Sequence, residues 1–332
     1  MMRVLITGSA GFIGYHLAEL LLAEGAQVLG LDAHDPYYDP ALKAAREARL
    51  TAHPGFTPLR ARIEDPGVLA EAFATHRPEI VVHLAAQAGV RHSIDNPRAY
   101  LASNITGTFE LLEAARAHPP RHMLLASTSS AYGANTQMPY RETDKADAQM
   151  SFYAASKKST EAMAHSYAHL FGLPMTMFRF FTVYGPWGRP DMAPWLFTSA
   201  ILQGQPIKVF NHGDMRRDFT FVTDLVRAIR LLIDAVPGDA PVGPEDSLSP
   251  VAPHRVVNIG NGSPVELLEF IAAIEAATGR TAIRNLMPMQ PGDVPATWAD
   301  TTLLRRLTGY APQTQVHDGV AAYVRWFRSY YG

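Results

Sequence analysis

Tyr153 and Lys157 stand four residues apart at the start of a segment of helical period, so a phenol and an ammonium share one helix face. Upstream, an apolar run at Met123–Ala126 leads directly into Ser127, Thr128, Ser129 and Ser130. A phenol is a poor base at its ordinary pKa of about 10, but a neighbouring cation stabilises the phenolate. Lowering that pKa by about three units takes about 4 kcal/mol, which a partly desolvated site can supply. The chemistry on offer is removal of a proton from an alcohol. Taken alone, such a pair reads as a tyrosine and a lysine on an exposed helix face, and other features must decide.

The N-terminus supplies the first of them. Directly after the apolar run Val4–Ile6 comes TGSAGFIG, with Gly8, Gly11 and Gly14 three residues apart and a helical segment behind them. Glycines at that spacing allow a tight turn, bring backbone N–H groups close to a diphosphate, and let helix and strand pack closely. The helix N-terminus adds a positive dipole end. Asp32 closes the second apolar run, Val28–Leu31, near the spacing expected of a carboxylate that accepts from the adenosine ribose hydroxyls. The pattern predicts a bound dinucleotide, and the acid favours NAD, since the 2′-phosphate of NADP would meet a negative charge.

The elements that must hold these residues follow from the pattern of apolar residues. Short runs at Val4–Ile6, Val28–Leu31, Ile80–Leu84, Met123–Ala126 and Met175–Phe178 read as buried strands. Between them Leu17/Leu20/Leu21, Leu69/Phe73 and Phe109/Leu112 recur at helical spacing. That alternation predicts an α/β fold: a Rossmann doubly wound parallel sheet covered by helices on both faces. The rhythm fades after residue 181. A proline-rich tract at 236–253 reads as a surface loop, followed by a strand at Val256–Ile259, a helix from about Pro264 to Thr278 and a terminal helix near Asp318–Tyr331.

Length and composition bound the rest. At roughly 150 residues per domain, 332 residues fit two units. The expected division is a cofactor domain of residues 1–181 plus about 219–259, and a smaller mixed α/β C-terminal substrate lobe of about 182–218 and 260–332. With 29 basic against 31 acidic side chains and no Lys/Arg cluster, a nucleic-acid partner is disfavoured. The absence of cysteine excludes disulfides, a thiol nucleophile and thiolate metal sites. The thirteen histidines include no pair at metal spacing beside a carboxylate cluster, and His83 reads as the cap of a strand end. The largely apolar Val4–Leu22 is broken by glycines and Glu19, and no other run approaches the roughly 18 apolar residues of a membrane span. A cytoplasmic protein without membrane contact is expected.

Several motifs, taken together, carry a family resemblance. TGSAGFIG, HLAAQAGVRHS (83–93), STSSAYGAN (127–135), YAASK (153–157) and FRFFTVYGPWGRPDM (178–192) resemble the extended short-chain dehydrogenase/reductase family of nucleotide-sugar enzymes. GDMRRDFTFVTDL (213–225), NIGNG (258–262) and PMQPGDVPATWAD (288–300) extend the likeness to the C-terminal lobe. Within the family the chain is similar to the UDP-glucuronate 4-epimerase branch, which shares the Pro36-Tyr37-Tyr38 stretch and the proline-rich loop before NIGNG.

The resemblance implies roles. Tyr153 would be the base for the sugar 4-hydroxyl, Lys157 would bond the nicotinamide ribose and tune the phenol, and Thr128 would complete a triad. The cofactor would touch Gly8, Gly11, Phe12, Ile13, Gly14, Asp32, Ile63, Leu84, Ala85, Ala86, Gln87, Asn104, Ser127 and Phe180, besides Tyr153 and Lys157. Arg217 would hold the nucleotide diphosphate, Val209 would flank the uracil and Asp293 would accept from the UDP ribose. For Arg217 the plain alternative is a solvated charge beside Asp218. Arg91 and Arg189 would add positive potential, as diphosphate ligands or surface charges. A homodimer is implied as well.

Ser129 and Ser130 separate the reactions open to such a scaffold. A dehydratase of this family would carry Asp-Glu there and a decarboxylase a carboxylate at the second position, so two hydroxyls leave epimerisation. Thr128, Ser129, Ser130 and Thr182 would surround a hexuronate carboxylate, whereas UDP-galactose epimerases carry Asn where Thr182 stands. The rival readings are a UDP-glucose/UDP-galactose 4-epimerase, an epimerase of another UDP-hexuronate, or a catalytically idle NAD-sensing scaffold. The adenine pocket departs from the family pattern: Ala33 follows Asp32 in place of Asn, and Arg62 replaces an Asp. Arg62 would stack on adenine or reach a 2′-phosphate.

Overall fold

The computed structural model describes residues 1–238, 240–290 and 293–332; Asp239 of the proline-rich tract and Pro291 and Gly292 of the 288–300 motif lie outside the described residues. The first half alternates as β1 (Arg3–Thr7), α1 (Phe12–Ala23), β2 (Gln27–Leu31), α2 (Pro40–Thr51), β3 (Phe56–Leu59), α3 (Val68–His76) and β4 (Ile80–His83). Two one-turn helices, α4 (His92–Asp95) and α5 (Pro97–Tyr100), lead through a π-helical turn at Leu101–Thr106 into α6 (Gly107–Ala117). Then come β5 (His122–Ala126), α7 (Phe152–Phe171) and β6 (Met175–Phe180). The remainder is β7 (Thr182–Tyr184), α8 (Ala193–Gln203), β8 (Pro206–Val209), β9 (Arg216–Phe221), α9 (Val222–Leu232), β10 (His254–Ile259), β11 (Pro264–Glu266), α10 (Leu267–Thr278), β12 (Ile283–Leu286), β13 (Ala296–Thr297), α11 (Thr302–Thr308) and α12 (Val316–Tyr331).

Seven strands form one parallel sheet in the order β10-β6-β5-β4-β1-β2-β3. Side chains alternate across it as a period of two requires. Val4, Ile6, Val28, Val82, Leu124 and Phe178 pack on α1 and α9, while Leu5, Leu29, Val81, Leu125 and Met177 pack on α3, α6 and α7. The order reverses between β1 and β4, and the crevice at such a switch point is where open α/β sheets bind ligands. The doubly wound α/β architecture is the one the apolar runs predict.

The C-terminal lobe is built on β11-β9-β13, with β7 also paired to β9, and on the pair β8-β12. Phe197, Val209, Phe219, Phe270, Val320 and Phe327 make its core. Strand β9 spans the expected boundary at residue 219.

Three details differ from the sequence reading. Pro264–Glu266 is not the first turn of a helix: it pairs antiparallel with Asp218–Arg216, and α10 begins at Leu267. A fourth early strand, Phe56–Leu59, extends the sheet edge; Thr57 and Pro58 are exposed, so the apolar signal there is weak. Phe109 points outward, 44% exposed, rather than into the core with Leu112. Among the described residues no helix is long and apolar enough to cross a membrane.

Candidate active site

The turn between β1 and α1 is shaped by its glycines. Gly8 has a left-handed φ of 76°, and a Cβ on Gly14 would fall 2.1 Å from the Gly8 carbonyl oxygen. Gly11 sits at the N-cap of α1 and provides no side-chain acceptor, so the first N–H groups of the helix remain available to an anion. At the end of β2 the buried Asp32 carboxylate accepts from Ala10 N at 3.1 Å and His34 N at 2.8 Å, which fixes its oxygens beside the turn. An uncapped helix start next to a fixed carboxylate suits a dinucleotide, with diphosphate at the first and ribose at the second.

A cavity of about 1160 Å³ opens over this turn and runs to the C-terminal lobe. Gly8, Gly11, Phe12, Ile13, Gly14, Asp32, Ile63, Leu84, Ala85, Ala86, Gln87, Ser127 and Phe180 line it. So do Thr128, Ser129, Ser130, Tyr153, Lys157 and Thr182, together with Arg91, Arg189, Arg217 and Asp293. Two expected residues do not. Val209 is wholly buried in the lobe core, while Pro206, Ile207 and Lys208 of the same strand line the cavity. Asn104 is also buried. The π-helical turn points its amide back to Gln87, accepting from Gln87 N at 2.7 Å and donating to Gln87 O at 3.1 Å and Ser156 Oγ at 2.9 Å. It therefore holds the cavity wall from behind.

Tyr153 and Lys157 occupy the first turns of α7, whose start is fixed by Ser151 Oγ accepting from Ala154 N at 3.1 Å. Lys157 Nζ donates to Ala126 O at 3.0 Å, and burial pulls its ammonium down to about 8. The sequence reading expects a lowered phenol at Tyr153. In the protein by itself burial dominates and raises it, while a hydrogen bond from Thr128 and the charge of Arg189 act the other way. A bound cation would act in the same direction as Thr128 and Arg189. Thr128 Oγ1 also accepts from Ser130 N at 3.1 Å, capping the short turn that presents Ser129 and Ser130.

Behind these residues lies a buried polar network that sequence reasoning missed. Glu161 accepts from Ser127 Oγ at 2.6 Å and from Arg179 at 2.9 and 2.8 Å, and Arg179 covers the Tyr132 ring at 4.5 Å. Two signals were available: Glu161 follows Lys157 by four residues, and Arg179 interrupts an apolar strand. His83 bonds Thr7 Oγ1 at 2.7 Å and Thr108 Oγ1 at 3.2 Å, and burial pushes it down to about 3, so it is neutral.

At the far end, Arg217 donates to Arg216 O at 2.9 Å and Pro295 O at 3.2 Å and stands 4.0 Å from Asp293. Burial lowers it below its ordinary value, and the charge of Asp293 only partly offsets this. Asp218 is no partner for it, since that carboxylate is buried and accepts from Asn261 N, Gly262 N and Ala299 N. Arg91 pairs with Asp293 at 3.4 Å, and Arg189 is gripped by Asp191, which Tyr37 also reaches at 3.1 Å. Arg62 is held by Asp35 at 2.8 Å and Glu64 at 3.1 Å.

Comparison with known proteins agrees with this geometry. The model of the NAD dependent epimerase/dehydratase family matches residues 4–260. A probable UDP-glucuronate 4-epimerase of Rhizobium meliloti (strain 1021) is 52% identical over 334 residues, covering 99% of this chain and 98% of that protein. The solved UDP-glucuronic acid 4-epimerase from Bacillus cereus, in complex with UDP-glucuronic acid and NAD, is similar with a TM-score of 0.88 at 30% identity over 99% of both chains. UDP-glucose 4-epimerase with UDP-glucose from Thermotoga maritima gives a TM-score of 0.86 at 29% identity over 100% of both. A glycine turn beside Asp32, a Tyr153–Lys157 pair in the same cavity and a family match over most of the length lead to one conclusion: the chain belongs to the NAD dependent epimerase/dehydratase family.

Proposed function

We propose that this protein is a UDP-glucuronate 4-epimerase that interconverts UDP-glucuronate and UDP-galacturonate with NAD as resident cofactor. One observation carries the reading: Tyr153 and Lys157 face a cavity in which the neighbouring positions 129 and 130 are hydroxyls. An alcohol can be oxidised there, but no carboxylic acid stands at those positions to drive elimination from the ketone. The high identity to a relative named for this activity supports the substrate.

In this mechanism Tyr153 Oη takes the proton of the sugar 4-hydroxyl and later returns it. When bound, NAD supplies the acceptor for the carbon-4 hydride and gives it back to the opposite face of the 4-keto sugar. Lys157 orients the nicotinamide ribose and stabilises the phenolate. Thr128 steadies the phenol and, with Ser129, Ser130 and Thr182, offers hydroxyl donors to the carbon-6 carboxylate. Arg217, which lines the cavity, takes the nucleotide diphosphate; Asp293 accepts from the UDP ribose, and Arg91 and Arg189 add positive potential. Asp32 accepts from the adenosine ribose. Residues 1–181 with about 219–259 then serve the cofactor, and about 182–218 with 260–332 the nucleotide sugar.

We also infer a homodimer, because Leu101, Phe109, Phe152, Leu170 and Phe171 leave apolar surface on the π-helical turn, α6 and α7. Light scattering at the mass of one chain would refute it. The activity is tested by incubating the purified protein with UDP-glucuronate or UDP-glucose and separating the products. UDP-galacturonate should accumulate until the two uronates are comparable; conversion of UDP-glucose alone, or of neither, would overturn the assignment.

A further inference from the structure

Arg46 of α2 is fully buried and forms no ion pair among the described residues. Its Nη1 donates to Ala10 O at 2.9 Å and to the Tyr38 hydroxyl at 3.0 Å, and its Nη2 donates to Trp187 O. Its Nε has no acceptor. Ala10 belongs to the glycine turn and Trp187 to the loop joining β7 to α8, so one guanidinium bridges segments 177 positions apart.

The bridged loop is constrained elsewhere too. Trp187 has a left-handed φ of 61°, which is unfavourable for a bulky side chain. Its ring is wedged against Tyr15 of α1 and against Trp326 and Tyr330 of α12, at 5.6, 5.5 and 5.0 Å. His16 of α1 donates from Nε2 to Pro186 O at 2.8 Å. Its imidazole is kept neutral, first by burial and then by the charge of Arg46, so it adds no competing cation. Past Trp187 the loop carries Arg189 and Asp191 into the cavity.

A buried cation without a carboxylate is unfavourable unless another anion approaches it. The glycine turn it touches leads into the uncapped start of α1, where a diphosphate fits. We propose that Arg46 is a positioning residue that fastens the glycine turn to the Gly185–Met192 loop; buried behind the cavity wall, it acts on the bound dinucleotide through the Ala10 backbone it holds, its charge adding to the positive end of α1. Cofactor occupancy and the placement of Arg189 and Asp191 are then linked through one side chain. The inference rests on the NAD reading of the glycine turn.

The test compares Arg46→Met and Arg46→Lys with the wild type, measuring NAD affinity of cofactor-stripped protein by calorimetry and Tm with and without NAD. Arg46→Met should weaken NAD binding ten-fold or more and shrink the NAD-induced rise in Tm, so that Tm with NAD falls further than Tm without it. Arg46→Lys should weaken NAD binding less than the methionine and still raise the KM for UDP-glucuronate at saturating NAD. If Arg46→Met binds NAD as the wild type does, or its Tm falls equally with and without NAD, the inference is overturned. Should the methionine variant not fold, Arg46→Lys with unchanged NAD affinity and unchanged KM overturns it. A wild type that does not bind NAD would instead remove the underlying cofactor reading.

Discussion

Glu161 lies one helical turn beyond Lys157 and holds Arg179 of β6 in a two-pronged, almost fully buried ion pair. The pair bolts the helix carrying Tyr153 and Lys157 to the central sheet. Burial by itself would raise the Glu161 carboxyl, but Arg179 prevails and keeps it well below the usual carboxylate range. Removing either partner leaves the other charge in the interior, Arg179 with no ion-paired carboxylate among the described residues and Glu161 with only the partly exposed Lys158 at 2.9 Å. Arg179→Met or Glu161→Gln should therefore lower unfolding stability by about 3–5 kcal/mol, and the double change to methionine should recover much of that. Urea unfolding of the three variants checks it. Because the folded carboxyl titrates below the unfolded one, this stabilisation is complete above pH 4.5 and fades as pH falls further.

Tyr153→Phe deletes the proton acceptor and keeps the ring that packs edge-on against Tyr100 at 6.0 Å. Turnover should fall roughly 10²–10⁴-fold. NAD affinity should remain within a few-fold of the wild type, and a variant that keeps its kcat would remove the phenol from the mechanism.

Thr182 opens β7 and faces the cavity beside Ser129 and Ser130. The 4-keto form of a hexuronate is a β-keto acid, prone to lose carbon dioxide when the carbon 5–6 bond stands perpendicular to the carbonyl plane. One donor fewer on the carboxylate relaxes that restraint. Thr182→Ala should raise the ratio of 4-keto pentose to epimerised product roughly ten-fold, the scale of one lost hydrogen bond. Chromatography of the sugar nucleotides gives the ratio, and an unchanged value counts against the restraint.

Arg62 lines the cavity with its charge already answered by Asp35 and Glu64, which lessens its pull on a 2′-phosphate. The repulsion from Asp32 then decides cofactor choice. Titration of stripped protein should give at least roughly ten-fold tighter binding of NAD than of NADP, the scale of one unfavourable charge contact. Arg62→Ala should leave that preference in place, and a preference for NADP in the wild type would refute the argument.

Burial pushes the Glu142 carboxyl up to about 7, although it accepts from Asn258 N at 2.8 Å. Between its ordinary value of 4.5 and about 7 the folded protein keeps a proton that the unfolded chain has released. Stability from this group thus declines as pH rises through that window and levels off above it. Glu142→Gln can still accept from Asn258 N and should raise stability at pH 8 by about 1–3 kcal/mol while removing that slope. Urea midpoints at pH 5 and pH 8 that shift in parallel for both proteins would refute it.

Local signals made much of this molecule legible. Apolar runs and a glycine spacing are written within a few residues, and they specify the sheet, its helices and the dinucleotide turn. The helix expected from Pro264 shows where such signals mislead: proline marks a helix start only if no neighbouring strand claims the segment, and β9 does. The sites that escaped notice share a cause. Arg46 meets Trp187, Tyr37 meets Asp191, and Asp218 gathers the backbone of Asn261, Gly262 and Ala299, all partners that only the completed fold brings near. Val209 lies in the lobe core and not in the cavity wall, a placement that its position in the motif does not reveal.

The π-helical turn at Leu101–Thr106 constrains how chain length can drift at different places. Each residue gained or lost in a helix rotates everything beyond it by about 100°. Excising one residue from that turn would restore ordinary helical winding and swing Asn104 off the Gln87 backbone. Among the described residues, none of the tract between α9 and β10 lines the cavity. Codons can be gained or lost there without touching the cavity, provided Asp246 keeps its buried grip on Arg255 of β10 at 2.7 and 2.9 Å, while the reading of Leu101–Thr106 must keep its count.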